Sequence, residues 1–369
     1  MNSRKFTLSL ITALAMTVQA NAQQIIKFDA PNSGTGADQG TQPTGINIAG
    51  VITGDVIDDE NGTHGFVGTL AGGFTDFDAP CANPIVGGTY PTGINDLGVI
   101  AGYDIDTNSV SHGFVRTPDG EFITFDDSQA PAGTGAGQGT NPVGINDIGE
   151  IAGYYIDGNG ATHGFVRTTG GKITTFDPTG SVATYPFNIN NFGVIAGLFY
   201  DTNGVGHGFV RTSDGKIKTF DPPNSFTGPS SFGTYSAYVN DLGVVAGSYF
   251  DASTYVAYGF IRSPTGQFTE FAVPGAGTVI SSTDESGTYV FAAANLEGAT
   301  TGTILDNNFE SHSFVRAANG EATTFDIPGQ AHILDNNAGS VGLSINTLGV
   351  VLGRWRDPNL TFHGYLRTP

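Results

Sequence analysis

Apolar and polar residues alternate along this chain in short runs, and glycine, asparagine, aspartate or proline breaks each run. Residues 139–177 are representative. A run ending in Gly144-Ile145-Asn146 is followed by the turn Asp147-Ile148-Gly149, then by "IAGYYID", "HGFVRT" and "KITTFD", with glycine-rich turns between them. β-Branched and aromatic residues fill the runs and turn-formers fill the gaps, which predicts four short antiparallel strands joined by hairpins. No segment carries a 3.6-residue apolar period, so a helical solenoid is excluded.

The same pattern recurs. Asn47, Asn95, Asn146, Asn190, Asn240, Asn295 and Asn346 each precede a glycine by three residues, at spacings of 48, 51, 44, 50, 55 and 51. Seven positions after each Asn is a second glycine, and eleven after is an aspartate: Asp58, Asp106, Asp157, Asp201, Asp251, Asp306 and Asp357. Seventeen after come His64, His112, His163, His207, His312 and His363, while the fifth copy has Tyr258 one place later. An aromatic follows two residues beyond, from Phe66 to Tyr365. A four-stranded unit of about 50 residues has the size of a propeller blade.

The count of strands predicts how the ends meet. Six units have a fourth strand ending in Phe-Asp or Phe-Ala, and the seventh copy reaches Pro369 without one. "QQIIKFDAP", containing Phe28-Asp29, precedes the first unit and supplies the missing strand. The expectation is therefore an all-β fold: a seven-bladed β-propeller of four-stranded antiparallel blades, closed by the N-terminal strand joining the last blade. It occupies residues 23–369 as one domain.

Residues 1–22 read as a signal peptide, with Arg4 and Lys5 before an apolar stretch and Ala20-Asn21-Ala22 as the cleavage pattern. That predicts a secreted or periplasmic protein with no membrane span. Without those residues the formal charge moves from −20 to −22, because Arg4 and Lys5 are lost. Such a surface repels nucleic acid, and a monomer is expected. Cys81 is the single cysteine, so no internal disulfide forms.

Chemistry is sparse. The chain lacks G-x-S-x-G and H-E-x-x-H, so no nucleophile or zinc-protease signature is present. The Asp/His pairs Asp58/His64, Asp106/His112, Asp157/His163, Asp201/His207, Asp306/His312 and Asp357/His363 flank one turn in nearly every copy. A cross-turn hydrogen bond with a structural role is expected for them. Asp55, Asp58, Asp59 and Glu60 are the candidate calcium ligands, and no other cofactor is indicated. The connections between units differ from one another. With the strand starts that follow them they hold Tyr90, Tyr185, Phe232, Tyr235, Tyr289 and His332 as candidate binding residues, the aromatics otherwise being first-strand core.

Gly-Ile-Asn-Asp-x-Gly, Val-Ile-Ala-Gly and His-Gly-Phe together resemble the bacterial extracellular HAF-repeat family over nearly all of residues 25–369. Gly or Ser stands here where the family has Ala. The resemblance implies an exported, propeller-like repeat protein and brings no reaction with it. The function expected is binding of an extracellular glycan or protein. The alternative is a propeller-based polysaccharide hydrolase or lyase, built from non-repeat carboxylates or His332.

Overall fold

The computed structural model describes residues 23–369 apart from 84, 86, 127–134, 229–232, 280–285 and 333–337. The signal segment and Phe232 lie outside the described residues. Every element among the described residues is a strand, and no helix there is long and apolar enough to cross a membrane.

In the third repeat the strands Gly139–Ile145, Ile151–Ile156, Thr162–Arg167 and Ile173–Phe176 pair antiparallel in chain order. Burial falls outward. The second strand is almost wholly buried, whereas the fourth exposes Thr174 and Thr175. A run covered on both faces favours apolar side chains, and the second strand here, IAGYYI, carries no charged residue.

Hydrogen bonding gathers these units into three sheets of 8, 12 and 8 strands, where the repeat pattern predicts seven separate ones. The difference has a simple cause. One-residue parallel bridges join the third strand of a unit to the first strand of the next, as at Ser111↔Gly139, Thr162↔Ala183 and Ala257↔Gly287. The bridge Phe362↔Gly40 joins the last repeat to the first in the same way. Ile25–Phe28 pairs antiparallel with Phe362–Arg367, the third strand of the last repeat.

Two glycine positions have steric reasons. The glycine three after each Asn has φ between 71° and 88°, in the left-handed region that a hairpin turn demands. The glycine seven after each Asn lies against backbone: a Cβ on Gly153 would sit 2.5 Å from the Asn141 carbonyl oxygen and 2.5 Å from the Phe165 ring. That ring belongs to the His-Gly-Phe triplet and is fully buried, as are its counterparts Phe66, Phe114, Phe209, Phe260, Phe314 and Tyr365.

Repeats hold one another through two further contacts. The Asn side chain closes its own turn, Asn47 Oδ1 accepting from Ala49 N at 3.1 Å and Val51 N at 3.0 Å. Its Nδ2 donates to the carbonyl of the next repeat's Asn, a bond formed six times from Asn47 round to Asn346 at 2.8–3.4 Å. On the outer side, Arg167 lies 4.5 Å over the Phe125 ring of the preceding repeat, and Arg116, Arg211, Arg262, Arg316 and Arg367 do likewise at 4.5–4.9 Å. All seven Asn turns line one polar cavity of about 240 Å³.

Gly153→Ala is expected to cost about 2 to 3 kcal/mol, because the carbonyl and ring it meets cannot both move away. Gly158, with nothing within 4 Å of an added Cβ, serves as the control. Denaturant midpoints of the two alanine variants check this; equal midpoints contradict it.

Candidate functional site

A cross-turn hydrogen bond with a structural role is expected for each Asp/His pair, and the structure corrects the pairing. Asp157 Oδ1 accepts from the backbone N–H of Asn159 and Ala161, both at 2.8 Å, and so closes its own turn. His163 Nε2 stands 3.9 Å from Asp157 Oδ2, too far for a hydrogen bond. The short bond of His163 runs instead from Nδ1 to Asp177 Oδ2, at 2.7 Å, where the fourth strand ends in Phe-Asp.

The other copies use the same strand-end partner, although His64 Nε2 also comes to 3.4 Å from Asp58 Oδ2. His64–Asp78, His112–Asp126, His207–Asp221, His312–Asp326 and His363–Asp29 have Nδ1···O distances of 2.6–3.0 Å. Asp29 comes from the N-terminal strand and serves the last repeat. In the fifth copy both partners change together, to Tyr258 and Ala272, while Asp251 still closes its turn onto Ser253 N and Thr254 N. That paired loss was the sequence signal for the true partner.

The charges follow from these bonds. Acceptance from Ala161 N holds the Asp157 carboxyl below its usual range, as acceptance from Val110 N and Val205 N does for Asp106 and Asp201. Burial pulls the His64 and His112 imidazoles down, but the hydrogen bonds and charges of their aspartates outweigh it and their pKa values are raised. These are braces between strand ends.

The second repeat breaks this order at Asp104. Directly across from the histidine the other copies have Val56, Tyr155, Phe199, Tyr249, Ile304 or Trp355, and three of those rings stack on the imidazole at 4.5–5.1 Å. Asp104 takes that place opposite His112, fully buried, with no hydrogen-bond partner on either oxygen among the described residues. Burial raises its pKa to about 6 against the pull of His112.

The candidate aromatics separate into two groups. Tyr90, Tyr185, Tyr235 and Tyr289 all belong to first strands rather than to the connections before them. Tyr185 and Tyr235 meet in a cavity of about 340 Å³, walled also by Phe187, Leu198, Tyr200, Ser236, Tyr238 and Phe291. Tyr289 supports it from beside, its ring 5.6 Å from Tyr235. The wall is aromatic because first-strand residues of the fourth and fifth repeats and Tyr200 near a second-strand end turn toward one another. The fourth and fifth repeats also carry register shifts of their own, between Ser181 and Ala183 and between Thr234 and Ser236. Burial raises the Tyr200 phenol, keeping it a neutral donor. Tyr90 is elsewhere, stacked on Tyr103 at 5.0 Å.

The four calcium candidates hold separate positions. Asp55 is buried, its pKa lifted to about 7 by burial against the nearby charge of Arg354. Asp58 Oδ1 closes its turn onto Glu60 N and Gly62 N, and Asp59 Oδ1 accepts from Thr35 N at 3.0 Å. Among the described residues, ligand atoms within 4.8 Å of one another occur instead at Asp306, Glu310 and His312. His332 is close by, Nδ1 3.2 Å from Glu310 Oε2. Cys81 is exposed.

No protein-family model matches the sequence, and no curated protein matches it either. Solved structures do match. Virginiamycin B lyase from Staphylococcus aureus aligns with 94% of this chain and 100% of its own at 14% identity and a TM-score of 0.56. BP39L lectin from Burkholderia pseudomallei aligns with 87% of this chain and 93% of its own at 8% identity and a TM-score of 0.53. A puromycin hydrolase aligns over 86% of this chain and 50% of its own, with 12% identity and a TM-score of 0.57. These neighbours are propeller proteins, and at such identities they define a class for this chain, an all-β propeller-like fold, without defining an activity.

Asp104 makes stability depend on pH. The folded protein keeps a proton up to about pH 6 that the unfolded chain loses near 3.8, so stability falls as pH rises through that window. Asp104→Ile, the residue type of the sixth repeat, is expected to stabilise by about 1 to 3 kcal/mol at pH 8 and by little at pH 4. Thermal midpoints at the two pH values check it; equal gains contradict it.

Proposed function

We propose that the protein is an exported binding protein, built as a closed seven-bladed β-propeller whose last blade is completed by Ile25–Phe28, and that its aromatic cavity takes an extracellular glycan. The observation that carries the reading is the cavity of Tyr185, Tyr200, Tyr235, Tyr238, Phe187 and Phe291, assembled where the repeats depart from their common pattern. Tyrosine rings stack on the apolar faces of sugar rings while their hydroxyls bond the sugar oxygens. One fold neighbour is a lectin.

Convergence of all seven Asn turns on one cavity and the Phe362↔Gly40 bridge support the ring and its closure. The N-terminal 22 residues support export, and the charge of the chain argues against nucleic acid. The resemblance of the repeat motifs to the HAF-repeat family accords with the same reading. The hydrolase or lyase alternative needs paired acids at the ligand; among the described residues, no carboxylate or histidine lines this cavity.

A glycan array with the mature protein tests the proposal, followed by titration of the retained glycan against Tyr200→Ala and Tyr235→Ala. Each substitution is expected to weaken binding about tenfold or more, the loss of roughly 1.4 kcal/mol of ring contact, with little change in thermal midpoint. An array that retains nothing, or variants that bind as the wild type does, overturns it.

A further inference from the structure

The sixth repeat departs from its siblings at the turn rim in two places, and both departures add metal-binding chemistry. Two residues before the histidine the other copies have Gly62, Val110, Ala161, Val205, Val256 and Thr361; the sixth has Glu310. The connection after its fourth strand carries His332, the single histidine outside the repeat. Folding brings the two together, with His332 Nδ1 3.2 Å from Glu310 Oε2.

The proton on His312 decides what its other nitrogen does. Asp326 Oδ1 lies 2.6 Å from His312 Nδ1, and an ionised carboxylate only accepts, so Nδ1 carries the hydrogen. Asp326 is itself held by Gln330 Nε2 at 2.9 Å. The other nitrogen, Nε2, faces Asp306 Oδ2, 3.9 Å away, and in this copy alone Glu310 stands alongside. A carboxylate fixing Nδ1–H while Nε2 faces outward is the arrangement that orients a metal-bound histidine.

The separations also fit. Arms of about 2.1 Å in a tetrahedral zinc site put neighbouring ligand atoms about 3.4 Å apart, and Asp306, Glu310 and His312 offer ligand atoms that all lie within 4.8 Å of one another. Two imidazole nitrogens and two carboxylates suit zinc or a similar transition ion, whereas calcium requires six to eight oxygens.

We propose that Asp306, Glu310 and His312 bind one divalent transition-metal ion of the zinc class, with Asp326 as the positioning residue and His332, hydrogen-bonded to Glu310 in the metal-free protein, turning in as the fourth ligand. The ion ties the connection after Phe325 to the rim of its own repeat. The site is separate from the aromatic cavity and does not depend on what that cavity binds.

Calorimetric titration of zinc chloride into chelator-treated mature protein tests this, with calcium chloride as the comparison. One zinc equivalent is expected, with a rise in thermal midpoint, and calcium is expected to give neither. Glu310→Val and His332→Ala should each weaken zinc about tenfold or more, and Asp326→Asn about 10- to 100-fold, as for a lost orienting carboxylate. Glu310→Val installs the residue found in three other repeats, and His332 is exposed, so both variants should fold; unchanged circular dichroism establishes that. His207→Ala, in a copy without the added ligands, should leave the single equivalent intact. Zinc binding that is undetectable, that survives both Glu310→Val and His332→Ala, or that occurs at several equivalents sensitive to His207→Ala overturns the proposal.

Discussion

Each repeat of this protein turns on one asparagine whose two amide ends do different work. Oδ1 closes the turn between the first two strands by accepting backbone N–H groups, and from Asn47 to Asn295 Nδ2 reaches the carbonyl of the corresponding Asn in the next repeat. No aspartate could replace it, because a carboxylate has no hydrogen to donate across. The bond fixes the inner edge of each unit relative to its neighbour, and the strands outside must then meet at one spacing. At that spacing the glycine seven residues on is required, since the first-strand carbonyl and the Phe ring occupy the room of its side chain. Farther out the Arg over the preceding repeat's Phe repeats the linkage in cation–π form.

Repetition of this kind separates scaffold from function. A histidine braced by the same strand-end aspartate in six copies stabilises six repeats alike, and little about it distinguishes one repeat from another. Individuality arises where a copy deviates. Asp104 replaces an apolar partner, Glu310 and His332 add ligands, and the fourth and fifth repeats turn tyrosines into a shared cavity. Of these, Asp104 lowers stability at neutral pH, and a buried carboxylate without a partner is retained at a cost that a hydrocarbon side chain would not carry.

Much of the fold was legible in the sequence because strand and turn chemistry is local and was repeated seven times. The invariance of the glycine seven after Asn marked a close approach, and the Phe two after the His identified one of the groups that approaches it. The His partner was misread, since Asp157 is near His163 in sequence while Asp177 is near it in space; Tyr258 and Ala272, changed together, carried the correct information. The aromatic cavity was legible only in part. Tyr185 and Tyr235 could be named, but Phe187, Tyr200, Tyr238 and Phe291 join them from positions that the repeat spacing does not single out. Likewise, the division into three sheets depends on single-residue bridges whose formation is decided by fractions of an ångström.

Closure of the repeats into a ring is the claim on which this account rests, and hydrogen exchange read by mass spectrometry tests it directly. An open array frays from its ends, because a terminal repeat has one neighbour where a central one has two. In a closed ring the amides of Ile52–Ile57 and Val351–Arg356, in the first and last repeats, should be protected to within about tenfold of those of Ile195–Asp201 in the fourth, a difference of about 1.4 kcal/mol. Exchange in the first and last repeats about a hundredfold or more faster than in the fourth would contradict the ring.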